Sequence, residues 1–148
     1  MTDFQQKIIL VTGASTGVGE GIARELLKRG AKVAITGRNP EYLQKAINEW
    51  DPTGDSVLAI EADVRKLSDC KRMVSTVSDK FGALHGLVNN AGITGPHGVK
   101  IEDYDFEAWQ DVMATDVTGT FLGMKFAIPA IIKSGGGAVV NLSACNGV

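Results

Sequence analysis

Chemistry in this chain is concentrated in short stretches between apolar runs. Thr12-Gly13-Ala14-Ser15-Thr16-Gly17-Val18-Gly19 spaces its glycines as T-G-x-x-x-G-x-G. Glycines let a backbone turn sharply and approach a bulky ligand closely. If a helix follows, its free amides and positive dipole end favour an anion such as a pyrophosphate. The spacing is not G-x-G-x-x-G, and no Gly-Lys-Ser/Thr follows, which excludes a P-loop. Taken alone, the stretch serves equally well as a tight turn with no ligand. Arg38 stands 19 residues beyond Gly19. An arginine there suits a ribose 2′-phosphate, whereas an acid would suit a free 2′-hydroxyl, and Gly37 offers no side chain. Arg38 can also stack on an adenine ring; the alternative is a solvated surface arginine. Asp63, with Val64 after it, could accept from an adenine amine or merely cap a helix. Asn89-Asn90-Ala91-Gly92 could be an ordinary turn, since Asn and Gly favour left-handed conformations.

The elements that must position these residues alternate. Ile8-Ile9-Leu10-Val11 is apolar throughout, as a strand buried on both faces must be. Val18, Ile22 and Leu26, with Ala23 and Leu27, predict a helix with one apolar face, ended by Gly30. Lys32 to Thr36 is predicted as the second strand. Asn39 and Pro40 cap and open a second helix marked by Leu43, Ile47 and Trp50, which Asp51-Pro52-Thr53-Gly54 breaks. Val57 to Ile60 forms a third strand, and Ser68 to Lys80 a helix with Met73, Val74 and Val77 inward. Leu87-Val88 is a short fourth strand, and Gly92 to Gly98 a loop. Phe106 to about Ile132 reads as one long helix, with Trp109, Met113, Val117, Phe121 and Met124 along one side and a kink at Pro129. Ala138 to Leu142 is the fifth strand. Such alternation predicts right-handed crossovers, a parallel sheet and a doubly wound α/β domain over 1–148, in the order 3-2-1-4-5. Ligands then bind outside the carboxyl ends of the strands. In that order Ala138-Val139-Val140 forms an apolar edge without a guarding charge, which natural sheets rarely leave open. A monomer of this sequence alone is expected to aggregate, unless a sixth strand of a longer chain covers that edge.

Composition narrows the function. The 148 residues carry a net charge of −2, which points away from nucleic acid and anionic membranes. No apolar run approaches the ~20 residues of a membrane helix, and the first residues lack the basic start and apolar core of a signal peptide. Cys70 and Cys145 fit no metal spacing and read as reduced thiols of a cytoplasmic protein. His85 and His97 lie in separate segments and are poor candidates for ligands or bases.

The glycine turn, Arg38, Asp63-Val64 and Asn89-Asn90-Ala91-Gly92 together resemble the short-chain dehydrogenase/reductase family, and the last stretch matches a family signature in full. The resemblance implies that Gly13, Ser15, Thr16, Gly17, Val18 and Gly19 hold a dinucleotide. It implies that Ser15 and Arg38 take its 2′-phosphate, making NADP(H) preferred over NAD(H). Asp63 and Val64 would flank the adenine, and Asn90, Ala91 and Gly92 would line the nicotinamide ribose. It further implies a small-molecule carbonyl or alcohol as substrate, no metal, and a homo-oligomer formed partly through the long helix.

The remaining third departs from the family. Met113-Ala114-Thr115-Asp116-Val117-Thr118-Gly119-Thr120-Phe121 is similar to a family segment in which Asn stands at the position of Asp116 and helps anchor a proton relay. Asp keeps the shape but loses the amide donor, and a buried charge there would need a partner or a raised pKa. The fifth strand resembles one that ends in a catalytic serine, but Ala144 holds that position and Ser143 would face the other way. The family's Tyr-x-x-x-Lys pair does not occur in these residues: four places after Tyr42 and Tyr104 stand Ala46 and Ala108. The two readings are therefore the cofactor half of an NADP(H)-linked oxidoreductase, and a truncated or non-catalytic dinucleotide-binding relative.

Overall fold

The computed structural model describes residues 3–143. Strands β1 (Ile8–Val11), β2 (Lys32–Gly37), β3 (Val57–Glu61), β4 (Gly86–Asn89) and β5 (Ala138–Asn141) form a single sheet in the order β3-β2-β1-β4-β5. Every neighbouring pair is parallel, with Val11 beside both Ile35 and Val88. Helices α1 (Gly17–Lys28), α2 (Pro40–Trp50), α3 (Leu67–Phe81), α4 (Phe106–Val112) and α5 (Gly119–Lys133) connect them.

Alternation along the strands divides the core into two layers, because successive side chains point to opposite faces. Ile9, Val11, Val33 and Ile35 pack against Ala23 of α1 and Leu43 and Ala46 of α2. Ile8, Leu10, Ala34 and Leu87 pack against Met73 and Val77 of α3 and Leu122, Ala127 and Ile131 of α5. Burying an aliphatic side chain contributes about 1.5–3 kcal/mol, so the central strands β1 and β4, buried at every residue, anchor the sheet. At its edge, β5 is paired on one side only and mostly exposed.

Local signals act as their chemistry dictates. The Asn39 side chain accepts from the amides of Glu41 and Tyr42, with Pro40 opening α2. Gly30, at φ 91°, follows α1 in the left-handed region that favours glycine.

Two expectations need correction. Val18 does not join Ile22 and Leu26 on the buried face: it is 66 % exposed. It lies in the first turn of α1, beyond the strand ends, where no sheet remains to cover it. The long helix from Phe106 is also interrupted, because Met113–Thr118 forms a π-helical turn between α4 and α5. In that region Thr115 Oγ1 donates to the Asp111 carbonyl and Thr120 Oγ1 to that of Asp116. Such bonds back to the preceding turn compete with the regular ladder. The turn buries Thr115 and exposes Asp116. Gly119 follows it, packed so closely on Val64 that a Cβ would collide with that side chain.

Candidate dinucleotide site

The site forms where β1 gives way to α1. Gly13 and Gly17 adopt φ of 62° and 63°, a region costly for other residues. Gly13 must also be glycine for space, since a Cβ there would lie 2.8 Å from Ala91 Cα. Gly17 faces open space, leaving room for a ligand. Thr16, at the start of α1, makes no side-chain cap, so the first-turn amides remain available to an anion. Gly19 is buried and does not line the cavity. A Cβ there would strike Asn90 Nδ2 and lie 2.7 Å from the Gly13 carbonyl oxygen, so its role here is close packing of turn and helix.

Asn89 and Asn90 then join the turn to the rest of the sheet. Asn90 Nδ2 donates to the carbonyls of Thr12 and Gly13, at 2.9 and 3.0 Å. The Thr12 hydroxyl, 1 % exposed, accepts from the amides of both Asn90 and Ala91 at 3.1 Å. Asn89, buried at the end of β4, donates to the Asn141 side chain on β5 at 2.9 Å. The signature thus closes the polar groups of three strand ends on one another, as buried amides require.

Around this frame lies a cavity of ≈ 480 Å³. Gly13, Ser15, Thr16, Val18, Arg38, Asp63, Val64, Asn90, Ala91 and Gly92 all line it, so residues far apart in the chain meet there, while Gly17 and Gly19 do not line it. Its size, its glycine floor and its uncapped helix start fit an elongated anionic ligand. Ser15 packs against Gly37, where a Cβ would lie 2.9 Å from its Oγ. Arg38 is exposed and makes no ion pair among the described residues.

Asp63 is more committed than the sequence implied. Arg65 grips its carboxylate with Nε at 3.0 Å and NH2 at 2.7 Å, and the Arg65 amide donates to Oδ1 as well. Hydrogen bonds from the Arg65 guanidinium, helped by the charges of Arg65 and Arg38, hold the Asp63 carboxyl below the usual carboxylate range. Arg65 also reaches Asp111 on α4, at 3.0 Å. Beneath Val64, the buried Cys70 thiol donates to the Val64 carbonyl at 3.2 Å. Burial pushes that thiol up to about 11, so it supports the loop and is no nucleophile.

Asp116 lies at the rim and does not line the cavity. Its Oδ1 accepts from the Ile93 amide at 2.9 Å, and being exposed it escapes the penalty of a buried charge. Ala144 lies outside the described residues. The sequence reading overlooked Thr12 as a hub, although it opens the quoted motif. It also overlooked Thr36, Ile93 and Thr115, which line the cavity; their only signal is adjacency to the named residues. His85 is structural, its Nδ1 accepting from the Ile8 amide. No cluster able to hold a metal occurs among the described residues, and none of their helices is long and apolar enough to cross a membrane.

Known proteins are similar to this chain in sequence and in fold. The short chain dehydrogenase family model matches residues 7–148. Cyclohexanol dehydrogenase of Acinetobacter sp. (strain SE19) is 34% identical over 145 residues, covering 98% of this chain and 57% of the relative. The 2-(R)-hydroxypropyl-CoM dehydrogenase of Xanthobacter autotrophicus is 37% identical, covering 93% of this chain and 56% of the relative. The structure of NAD+-bound xylitol dehydrogenase superposes with a TM-score of 0.92 at 30% identity, over 98% of this chain and 55% of that one. The chain therefore spans about half the length of the relatives it matches. With its sheet order, its glycine turn and its Asn-Asn-Ala-Gly lock, the chain belongs to the short-chain dehydrogenase family.

Proposed function

We propose that this chain forms the dinucleotide-binding part of an NADP(H)-dependent oxidoreductase that interconverts a carbonyl and an alcohol. The observation that carries the NADP(H) preference is the pairing of a free Arg38 with a side-chain-less Gly37 at the mouth of the cavity. The amides at the start of α1 would hold the pyrophosphate. Ser15 and Arg38 would take the 2′-phosphate, Asp63 and Val64 would flank the adenine, and Asn90 to Gly92 would line the nicotinamide ribose. The bound nicotinamide supplies or accepts the hydride. Asp116 would hold the loop at Ile93 beside the reaction end of the cavity. The names of the relatives support a small-molecule alcohol or carbonyl as substrate.

Calorimetry on the natural protein tests the cofactor preference. NADP(H) should bind more tightly than NAD(H), and Arg38→Ala should narrow the gap by about 1.5–3 kcal/mol, the scale of a charge-assisted hydrogen bond. Equal affinities before mutation would refute the preference.

A second reading, a dinucleotide-binding relative without turnover, is favoured by Ala144 at the position of the family's catalytic serine and by Asp116 in place of its asparagine. Losing one donor to a developing oxyanion lowers a rate by about 10²–10³-fold. Ala144→Ser should therefore raise NADPH-linked reduction across a panel of ketones and aldehydes. Robust turnover by the unmodified protein, unchanged by the serine, would refute this reading.

The surface supports a larger working assembly. Phe106 and Trp109 stack at 5.7 Å, and both are exposed, as are Val117 and Phe121, which suits self-association. The open β5 edge suits coverage by further sheet. A cytoplasmic setting with no nucleic-acid or membrane partner completes the proposal, supported by the near-neutral net charge and the free Cys70 thiol. A monodisperse monomer of these 148 residues in light scattering would argue against the assembly.

A further inference from the structure

We propose that Arg65 determines cofactor specificity indirectly: by occupying Asp63, it leaves Arg38 free for the 2′-phosphate. The proposal rests on the dinucleotide reading of the cavity. Two opposite charges line that cavity close together, Arg38 and Asp63, and they also share a second polar hollow at the end of β3. Each is near enough to feel the other, since the Arg38 charge helps to keep Asp63 ionised. An exposed arginine beside a half-buried carboxylate would ordinarily pair with it, and a carboxylate so placed would repel an incoming phosphate.

Arg38 makes no ion pair with Asp63 here, and Arg65 holds the carboxylate instead. Its Nε lies 3.0 Å from Oδ1 and its NH2 2.7 Å from Oδ2, the two-pronged geometry that suits arginine and carboxylate best. The Arg65 backbone amide adds a further bond to Oδ1 at 3.0 Å, so both oxygens are engaged. The guanidinium is itself held from behind. Its NH1 reaches Asp111 on α4 at 3.0 Å, which ties the loop after β3 to that helix. Asp63 is fixed from its own backbone too, its amide donating to Asp69 Oδ2 at 2.9 Å. The carboxylate of Asp63 is thus paired within its loop, and Arg38 keeps no partner among the described residues. Arg65 does not itself line the cavity, so it acts as a positioning residue.

The test compares NADP(H) with NAD(H) binding in the natural protein, in Arg65→Met, in Asp63→Asn and in the double variant. Arg65→Met keeps much of the apolar stem and removes the fork. It should lower the ratio of NADP(H) to NAD(H) affinity by about tenfold, the scale of one charge-assisted contact. In the double variant, the Asp63→Asn change retains the shape of the side chain without its charge, and the ratio should return to within about twofold of its starting value. A general loosening of the loop would weaken both cofactors alike and would not be rescued. Arg65→Lys, which keeps the charge, provides a variant with less risk to folding and should lower the ratio less than Arg65→Met. An unchanged ratio in Arg65→Met, or a fall that Asp63→Asn does not reverse, would overturn the proposal. Should the starting protein bind both cofactors equally, the NADP(H) preference fails while the ratio still reports on Arg65. If it binds neither, the dinucleotide reading itself fails, and this proposal with it.

Discussion

Strands β1 and β5 are both short apolar runs, Ile8-Ile9-Leu10-Val11 and Ala138-Val139-Val140-Asn141, and both pair in parallel with β4. Their surroundings differ sharply. β1 is buried at every residue and leads into the glycine turn, whereas Val140 is 52 % exposed. β1 has a strand on each side and helices on both faces. β5 has one neighbouring strand and opens beside α1 onto an apolar groove lined by Ile22, Leu26, Val88 and Val140. The contrast shows that an apolar strand becomes a rigid platform only when every side of it is occupied. The glycine-turn end of the molecule meets that condition and the β5 end does not.

The largest expected effect breaks the platform where it is tightest. Gly13→Val would place a β-branched residue at φ 62° and drive a Cβ into Ala91. It should cost about 3 kcal/mol or more in unfolding free energy and abolish dinucleotide binding in calorimetry. A stable, binding-competent Gly13→Val protein would show that the turn is more yielding than its packing indicates.

Matched truncations sharpen the comparison directly. Val11→Ala should cost about 2–3 kcal/mol in urea unfolding, from the lost burial and the cavity left behind. Val140→Ala should stay within about 0.5 kcal/mol, as surface substitutions do. A comparable loss at Val140 would mean that β5 is covered in solution, as the proposed assembly requires, so the same pair of variants also reports on assembly.

The smallest expected difference lies in the asparagines that lock the strand ends. Asn90→Ala removes the two side-chain bonds to Thr12 and Gly13 and leaves those carbonyls half-satisfied. Its expected cost is about 2 kcal/mol, with weakened cofactor binding. Asn141→Ala removes the acceptor for Asn89 on the exposed strand and should cost about 1 kcal/mol, with cofactor affinity intact. Thermal melts with and without NADP(H) would measure both, and equal losses would contradict the contrast.

The glycine turn and Asn89-Asn90-Ala91-Gly92 were legible because their function depends on backbone geometry, which few residue types permit. The same is true of the strand order, which follows from the alternation of buried runs and amphipathic helices. Val18 misled because helical spacing says nothing about where a covering sheet ends. The π-helical turn at Met113–Thr118 was hidden because its residues are compatible with a regular helix, and only its threonine hydroxyls and the approach of Val64 to Gly119 reveal it. Thr12 was in plain view but without a visible task.

By itself, then, the sequence determined the doubly wound sheet, the position of the glycine turn and which segments face it, since these depend on local propensity and on patterns of burial. Tertiary structure alone decided how the polar groups pair. The Thr12 hydroxyl accepts from amides 78 and 79 residues away. Arg65, and not Arg38, holds Asp63. Asp116 stands in solvent beside Ile93. Such partners are chosen by distance and direction in space, within the few tenths of an ångström a hydrogen bond allows, and spacing along the chain does not encode them.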